Sequence, residues 1–287
     1  MSVVIGAGIT GLIAALNREA VVVEEQTEIG GLYSTDKIGD LEFTILPPII
    51  EREKDIIEVF PQAQIEELSA KIQIIENEHL PSKICNTCSS FPRWLIPSKL
   101  LVVRNFPELF EKIKGKIKIV RGYPIKIVND KLFTNRGVYS FKELINTGSR
   151  RRLNKTLGIE EKLDYYGCLI IQILLKNRIT DWDIQINGKS EITFSHIINV
   201  ENSPLYYVYS FHSKKQLPDS ERVVQDLKRS KIISQDDILS IRTKYINECI
   251  LSGEKNYQRP NFLKECGRLG SWANLSLNEA IRSALEC

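Results

Sequence analysis

The strongest constraint on the fold lies at the amino end. Ser2-Val3-Val4-Ile5 is a short apolar run of strand type, and it feeds directly into Gly6-Ala7-Gly8-Ile9-Thr10-Gly11. Apolar residues then recur at Leu12, Ile13, Ala15 and Leu16, which predicts a helix from Leu12 to Arg18. Val21-Val22-Val23 is a second buried strand, ending in Glu24-Glu25. In such a βαβ opening the first glycine makes a tight turn, the second lets backbone approach a pyrophosphate, and the third lets helix pack on strand. Gly6, Gly8 and Gly11 fit these roles. The helix N-terminus then offers free N–H groups and a positive dipole end to phosphate. The acid expected at the end of the second strand, to accept hydrogen bonds from a ribose diol, is Glu24, with Glu25 beside it. The short interval from Gly11 to Glu24 implies a trimmed first helix.

The rest of the composition bounds the setting. At 287 residues the chain has room for about two domains, or for one domain with a large insertion. A net charge of +3 with 26% charged residues gives no strong field for nucleic acid or an anionic membrane. No apolar run approaches the length of a membrane span. The turn at Gly6 leaves no space for a secretory leader before the fold, so a cytoplasmic location is expected. Six irregularly spaced cysteines are too few for a disulfide scaffold. Abundant Lys and Glu with a single Met hint at heat stability.

Farther along, helical spacing resumes over Glu51–Phe60, and Pro81, Pro92 and Pro97 predict loop or extended chain from His79 to Pro97. Pro107 marks the start of a helix running to Ile113. Residues Lys116–Thr147 alternate as strands of a meander, closed by the buried strand Leu144–Thr147 with Gly148 behind it. Tyr166–Leu175, Asp183–Ile186, Ile192–Val200 and Leu205–Phe211 predict a second, antiparallel sheet. Two helices are expected near Ser220–Lys231 and Ser234–Ile241, the latter opened by the Ser234 to Asp237 capping box.

Past the acid, Ile29-Gly30-Gly31-Leu32 supplies a glycine doublet. With the opening fingerprint, this block resembles the flavin-dependent amine oxidase and protoporphyrinogen oxidase superfamily, which includes UDP-galactopyranose mutase. In that superfamily the combination marks FAD. The far end is similar as well: Cys266-Gly267-Arg268-Leu269-Gly270 and Trp272 precede Ser276-Leu277-Asn278-Glu279, which looks like the family's Gly-Arg turn, aromatic patch and flavin-facing helix. Ser276 and Glu279 form a capping box, so a helix starts there. The resemblance implies cofactor contacts from Gly6, Gly8, Ile9, Thr10, Gly11, Glu24, Glu25, Gly30, Gly31, Leu32, Thr147, Gly148, Gly267, Arg268, Trp272, Ser276 and Leu277, with Ile125 near adenine. Where relatives carry a glycine-containing segment near flavin, this chain has Phe43-Thr44-Ile45-Leu46-Pro47-Pro48.

The implied fold is α/β, a Rossmann-like FAD-binding domain with an inserted α+β substrate domain that contains an antiparallel sheet. The expected boundaries are 1–50, 100–150 and 255–287 for the FAD-binding domain, and 51–99 with 151–254 for the substrate domain. The implied function is oxidation of a small organic substrate by hydride transfer to FAD. A sugar-mutase-like non-redox flavoprotein and a degenerate FAD-binding protein without catalysis are the alternatives.

Three further features admit several readings. Cys85-Asn86-Thr87-Cys88 suits structural cysteines, a redox or stabilising disulfide, or a metal pair, although no second pair completes a zinc site. Arg150-Arg151-Arg152 is a solvated charge run or an anion contact. Tyr207 and Tyr209 share one strand face and Tyr206 the other, as sheet core or pocket wall.

Overall fold

Apolar runs too short for helices, spread from one end of the chain to the other, come together as neighbouring strands. A computed structural model describes residues 1–88, 92–96, 100–200, 204–214 and 219–287. In it, Leu263–Glu265, Glu143–Asn146, Ser2–Ile5, Val21–Glu24 and Ile119–Arg121 form, in that spatial order, a five-stranded parallel sheet. A parallel sheet is covered on both faces, which is why its strands read as unbroken Val/Ile/Leu runs. On one face Val4, Val22 and Ile145 pack with Leu12 and Ile13 of helix Ile9–Leu16 and Ile281 of helix Leu277–Leu285. On the other, Val3, Ile5 and Val23 pack with Leu132 and Leu153, from a three-stranded meander over 124–140 and from helix Arg150–Leu157.

The second large sheet has six strands, in the order Ile238–Gly253, Leu163–Leu175, Leu205–His212, His196–Ile198, Ile184–Asn187 and Ile72–Ile75. All its pairings are antiparallel except the last. Strand alternation splits its tyrosines: Tyr206 packs against Val223 and Leu227 of helix Ser220–Arg229, while Tyr207 and Tyr209 face Leu46 and the Arg93–Leu95 turn. Gln172 reaches off this sheet and donates to the carbonyls of Thr44 (2.9 Å) and Ile45 (3.2 Å), fixing the segment that links it to the parallel sheet.

Three local expectations are corrected. Residues 234–241 are not helical: Ser234 caps only the turn Gln235–Asp237, and the chain then enters the sixteen-residue strand Ile238–Gly253. Cross-strand pairing along Leu163–Leu175 outweighs the local cap there. The run at 117–120 belongs partly to the parallel sheet, as Ile119–Arg121, and not to the meander. The stretch from His79 holds a helix, Leu80–Cys85, with its proline near the amino end where no N–H is needed. Pro97, part of the expected loop, lies outside the described residues. Disulfides join Cys85 to Cys88 and Cys266 to Cys287, and Cys168 and Cys249 are buried free thiols.

Helix Lys54–Val59 docks on the carboxy-terminal helix through Asn278, which is fully buried. Its side chain accepts from the N–H groups of Glu51 (2.7 Å) and Arg52 (3.2 Å) and donates to the Arg52 carbonyl (2.7 Å). Replacing it by alanine orphans these backbone groups. Asn278→Ala is expected to lower stability by about 2–4 kcal/mol, as one or two buried groups lose their partners; urea unfolding checks this.

Candidate functional site

The site begins where strands Ser2–Ile5 and Glu143–Asn146 end side by side and their chains depart in different directions, the place where open α/β sheets leave a crevice. The crossing is tight. Thr147 and Gly148 both donate their N–H groups to the Ile5 carbonyl (2.9 and 3.0 Å), and the Thr147 hydroxyl lies 3.0 Å from the carbonyls of Ile5 and Gly6. A Cβ on Gly6 would lie 2.8 Å from the Gly148 nitrogen, and one on Gly11 would lie 1.9 Å from the Gly6 oxygen. These two glycines are required by the protein's own packing. Gly8 is different: its φ of −72° is open to any residue, and a Cβ there would meet nothing within 4 Å.

Gly8 precedes a helix with no side-chain cap and no acidic residue in its first turn, so its amino-terminal N–H groups are open to a ligand. The Glu24 carboxylate closes the far side of the turn, accepting from the N–H of Ala7 (2.6 Å) and of Gln26 (2.7 Å). The second glycine pair seats its loop on the first: Gly30 donates to the Ala7 carbonyl (2.9 Å). A Cβ on Gly31 would lie 3.6 Å from the Gly8 Cα.

From this turn a cavity of about 680 Å³ extends in two directions. One end is lined by Glu24, Glu25, Gly122, Tyr123 and Arg152. The other passes Arg268 and Ser276 and opens onto Leu46, Pro47, Ile49, Trp94, Ile198 and Tyr209. Arg268 is fixed by donating to the carbonyls of Glu248 (2.7 Å) and Cys249 (2.8 Å). Burial raises the Tyr33 hydroxyl well above the usual phenol range, against the opposing pull of the Arg268 charge. Tyr209 is likewise pushed up by burial, and its ring meets Trp94 edge-on at 6.4 Å. Behind it, burial depresses His196 to about 4. The Ser276 hydroxyl accepts from the Glu279 N–H (3.4 Å) and Glu279 accepts from the Ser276 N–H (2.8 Å), completing the cap of helix Leu277–Leu285.

Of the residues singled out in the sequence, Gly6, Gly8, Ile9, Thr10, Glu24, Glu25, Gly30, Gly31, Leu32, Thr147, Gly148, Arg268 and Ser276 line this one cavity. Gly11, Gly267 and Leu277 do not; Gly11 packs under Gly6, Gly267 against Thr10, and Leu277 in the core. Two more lie off the cavity. Ile125 is 54% exposed and lies off the cavity, because strand Pro124–Val128 has left the parallel sheet for the meander. Trp272 is buried beside Leu163 and Leu251, with Nε1 donating to the Ser252 carbonyl (2.8 Å). Tyr123 and, apart from Tyr209, the apolar wall were not singled out in the sequence. Tyr123 follows strand Ile119–Arg121 after Gly122, a signal hidden by reading that strand as meander.

The arginine triplet divides its work. Arg150 is buried between Glu161 and Glu265 beside Arg259, Arg151 pairs with Glu248, and Arg152 pairs with Glu25 at the cavity. Among the described residues no three His, Cys, Asp or Glu side chains gather as a metal site, and no helix is long and apolar enough to cross a membrane.

Solved structures provide the comparison. The chain resembles a reduced UDP-galactopyranose mutase (13% identity, TM-score 0.75), with the match covering 99% of this chain and 92% of that one. It also resembles a protein from Exiguobacterium sp. 255-15 designated a protoporphyrinogen oxidase (11%, TM-score 0.74, 99% and 96%). An A394C variant of putrescine oxidase, from a redesign of cofactor binding, matches as well (10%, TM-score 0.70, 99% and 97%). No protein-family model and no curated protein sequence matches. The resemblance drawn from the two glycine-rich ends therefore holds for the fold, an α/β fold with parallel and antiparallel sheets.

The Arg150 network yields a prediction on acid stability. Hydrogen bonds and charge from Arg150 hold Glu161 down at about 2 against a usual value of 4.5. Its contribution is full above pH 4.5 and is lost as pH falls toward 2. Glu265, raised by burial, works in the opposite sense and offsets part of this. Between pH 5 and pH 2 a Glu161→Gln variant should lose about 2–3 kcal/mol less stability than the parent, as read by denaturant melts at each pH.

Proposed function

We propose that this chain is an FAD-dependent oxidoreductase of the amine oxidase and protoporphyrinogen oxidase type, which takes a hydride from a carbon centre of a small organic substrate. The observation that carries this reading is Gly8. Its neighbours Gly6 and Gly11 are glycines because protein atoms demand it, whereas the space beside Gly8 belongs to the cavity alone. A glycine there is explained by a ligand whose phosphates approach the backbone.

The residues fit such a group. The N–H groups of Ile9 and Thr10, at an uncapped helix start, suit a pyrophosphate, and the Glu24 carboxylate suits ribose hydroxyls. Gly31, Leu32, Thr147 and Gly148 would hold the middle of the dinucleotide, and Arg268 and Ser276 would face the flavin ring. When bound, FAD would supply the two-electron acceptor chemistry, while protein groups position substrate and set the local field. The wall of Leu46, Pro47, Ile49, Trp94 and Ile198 would exclude water from the reacting carbon. We assign the parallel sheet, its meander and the carboxy-terminal helix to the cofactor, and the six-stranded sheet to the substrate.

The direct test is the absorption spectrum of the purified protein and mass analysis of any released cofactor, where FAD is expected. A Gly8→Val variant should keep the unfolding midpoint of the cofactor-free parent, since a Cβ there meets no protein atom within 4 Å, yet fail to retain FAD in gel filtration. Full retention would refute the cradle. Bound flavin should also be bleached anaerobically by the true substrate. Turnover only after dithionite reduction would point to mutase-like chemistry, and no bleaching by any candidate to a binding protein.

The carboxy-terminal helix is expected to tune the flavin. Removing its cap with Ser276→Ala should cost about 0.5–2 kcal/mol of stability. If the frayed turn weakens the dipole's favour for an anionic reduced ring by ~0.3–1 kcal/mol, the two-electron potential should fall by roughly 6–20 mV. Dye-coupled titration measures this.

A further inference from the structure

We propose that Tyr123 and Arg152 form a clamp for a purine base at the Glu24 end of the cavity. The inference rests on the cavity being a dinucleotide site and assigns the part of it that the sequence resemblance placed at Ile125. The geometry follows from the strand order. Glu24 ends its strand in register with Arg121 of the neighbouring strand, and Gly122 donates its N–H to the Glu24 carbonyl (2.9 Å). A ribose held by Glu24 therefore carries its base outward over residues 122 and 123.

Tyr123 is suited to receive that base. Its backbone is fixed, because its N–H donates to the Asn135 side-chain carbonyl (2.9 Å). Its side chain, by contrast, is 48% exposed while lining the cavity. Among the described residues this ring takes part in no aromatic or cation–π contact. A large apolar face left open at a cavity end is what a flat heterocycle covers. Arg152 enters the same end of the cavity from helix Arg150–Leu157. Its guanidinium is ion-paired with Glu25, the residue after the ribose acid. That pairing uses the edge of the guanidinium and leaves its planar face for stacking, which a lysine ammonium cannot supply.

The experiment uses ADP and FAD as separate probes, titrated calorimetrically into the full chain stripped of any bound cofactor, with unfolding midpoints recorded for each variant. Tyr123→Ala should weaken both ligands by roughly 5- to 150-fold, the range for loss of one aromatic stacking partner. Tyr123→Phe, which keeps the ring, should stay within about two-fold of the parent, and Arg152→Lys should lose about 2- to 30-fold. Unchanged ADP affinity in Tyr123→Ala, or an equal loss in Tyr123→Phe, overturns the clamp while leaving FAD binding by the parent intact. A parent that binds ADP with this pattern but not FAD keeps the clamp and removes the flavoprotein reading. A parent that binds neither removes both.

Discussion

Everything in this molecule turns on how closely two strand ends and one helix approach at the crevice. The Ile5 carbonyl takes two N–H donors from Thr147 and Gly148, and the Gly6 oxygen sits where any side chain at residue 11 would have to be. Only with that approach does helix Ile9–Leu16 pack down on the sheet, with Leu12 and Ile13 fully buried. The same contact aims the helix start into the cavity. Packing and ligand geometry are thus set by one cluster of backbone atoms, and a side chain at Gly6 or Gly11 would damage both together. Gly8 alone separates them.

The carboxy end is drawn into the same cluster. The Thr10 hydroxyl donates to the Ala280 carbonyl (3.2 Å), and a Cβ on Gly267 would lie within 2.5 Å of the Thr10 hydroxyl. Strand Leu263–Glu265 extends the parallel sheet, and the Cys266–Cys287 disulfide ties the end of the final helix to the end of that strand. Arg268 then crosses to the carbonyls of Glu248 and Cys249 on the long edge strand of the second sheet. These links bring the first and last segments of the chain to one cavity and tie the two sheets across it. A cross-link over a long loop restricts the unfolded chain more than one over a short loop, so the Cys266–Cys287 closure contributes more in this way than the four-residue ring at Cys85–Cys88.

How much of this could be read in the sequence depended on whether the deciding forces were local. The strand, glycine turn and helix at 2–16 were legible because three glycines, an apolar run and a helical period agree with one another. The cap at Ser276 was legible for the same reason. The cap at Ser234 was real and still misled, because Ile238–Gly253 gains cross-strand partners along Leu163–Leu175 that no local signal announces. Likewise Ile119–Arg121 looks like its meander neighbours, and only the pairing with Val22, Val23 and Glu24 assigns it to the parallel sheet. Reading that strand as meander left Tyr123, two residues past its end, without notice. The apolar half of the cavity was legible only at Tyr209, which its strand face marked as sheet core or pocket wall; Leu46, Trp94 and Ile198 come from separate segments with no shared spacing.

The two halves of the cavity impose opposite conditions on whatever occupies them. At the Glu24 end, backbone N–H groups, carboxylates and a guanidinium meet a ligand in reach of solvent, where hydrogen bonds select and screening limits each charge. At the Tyr209 end the wall is apolar, and burial keeps its neighbours neutral: Tyr33 and Tyr209 are pushed up, and His196 behind Tyr209 is depressed to about 4. Near pH 7 these three groups neither donate nor accept a full charge. The field there is set instead by the half-buried Arg268 guanidinium and the positive end of helix Leu277–Leu285, both of which favour negative charge in the cavity. Negative charge developing on a ligand in this half of the cavity would therefore be met by fixed protein charge and dipole, with water kept from the apolar wall.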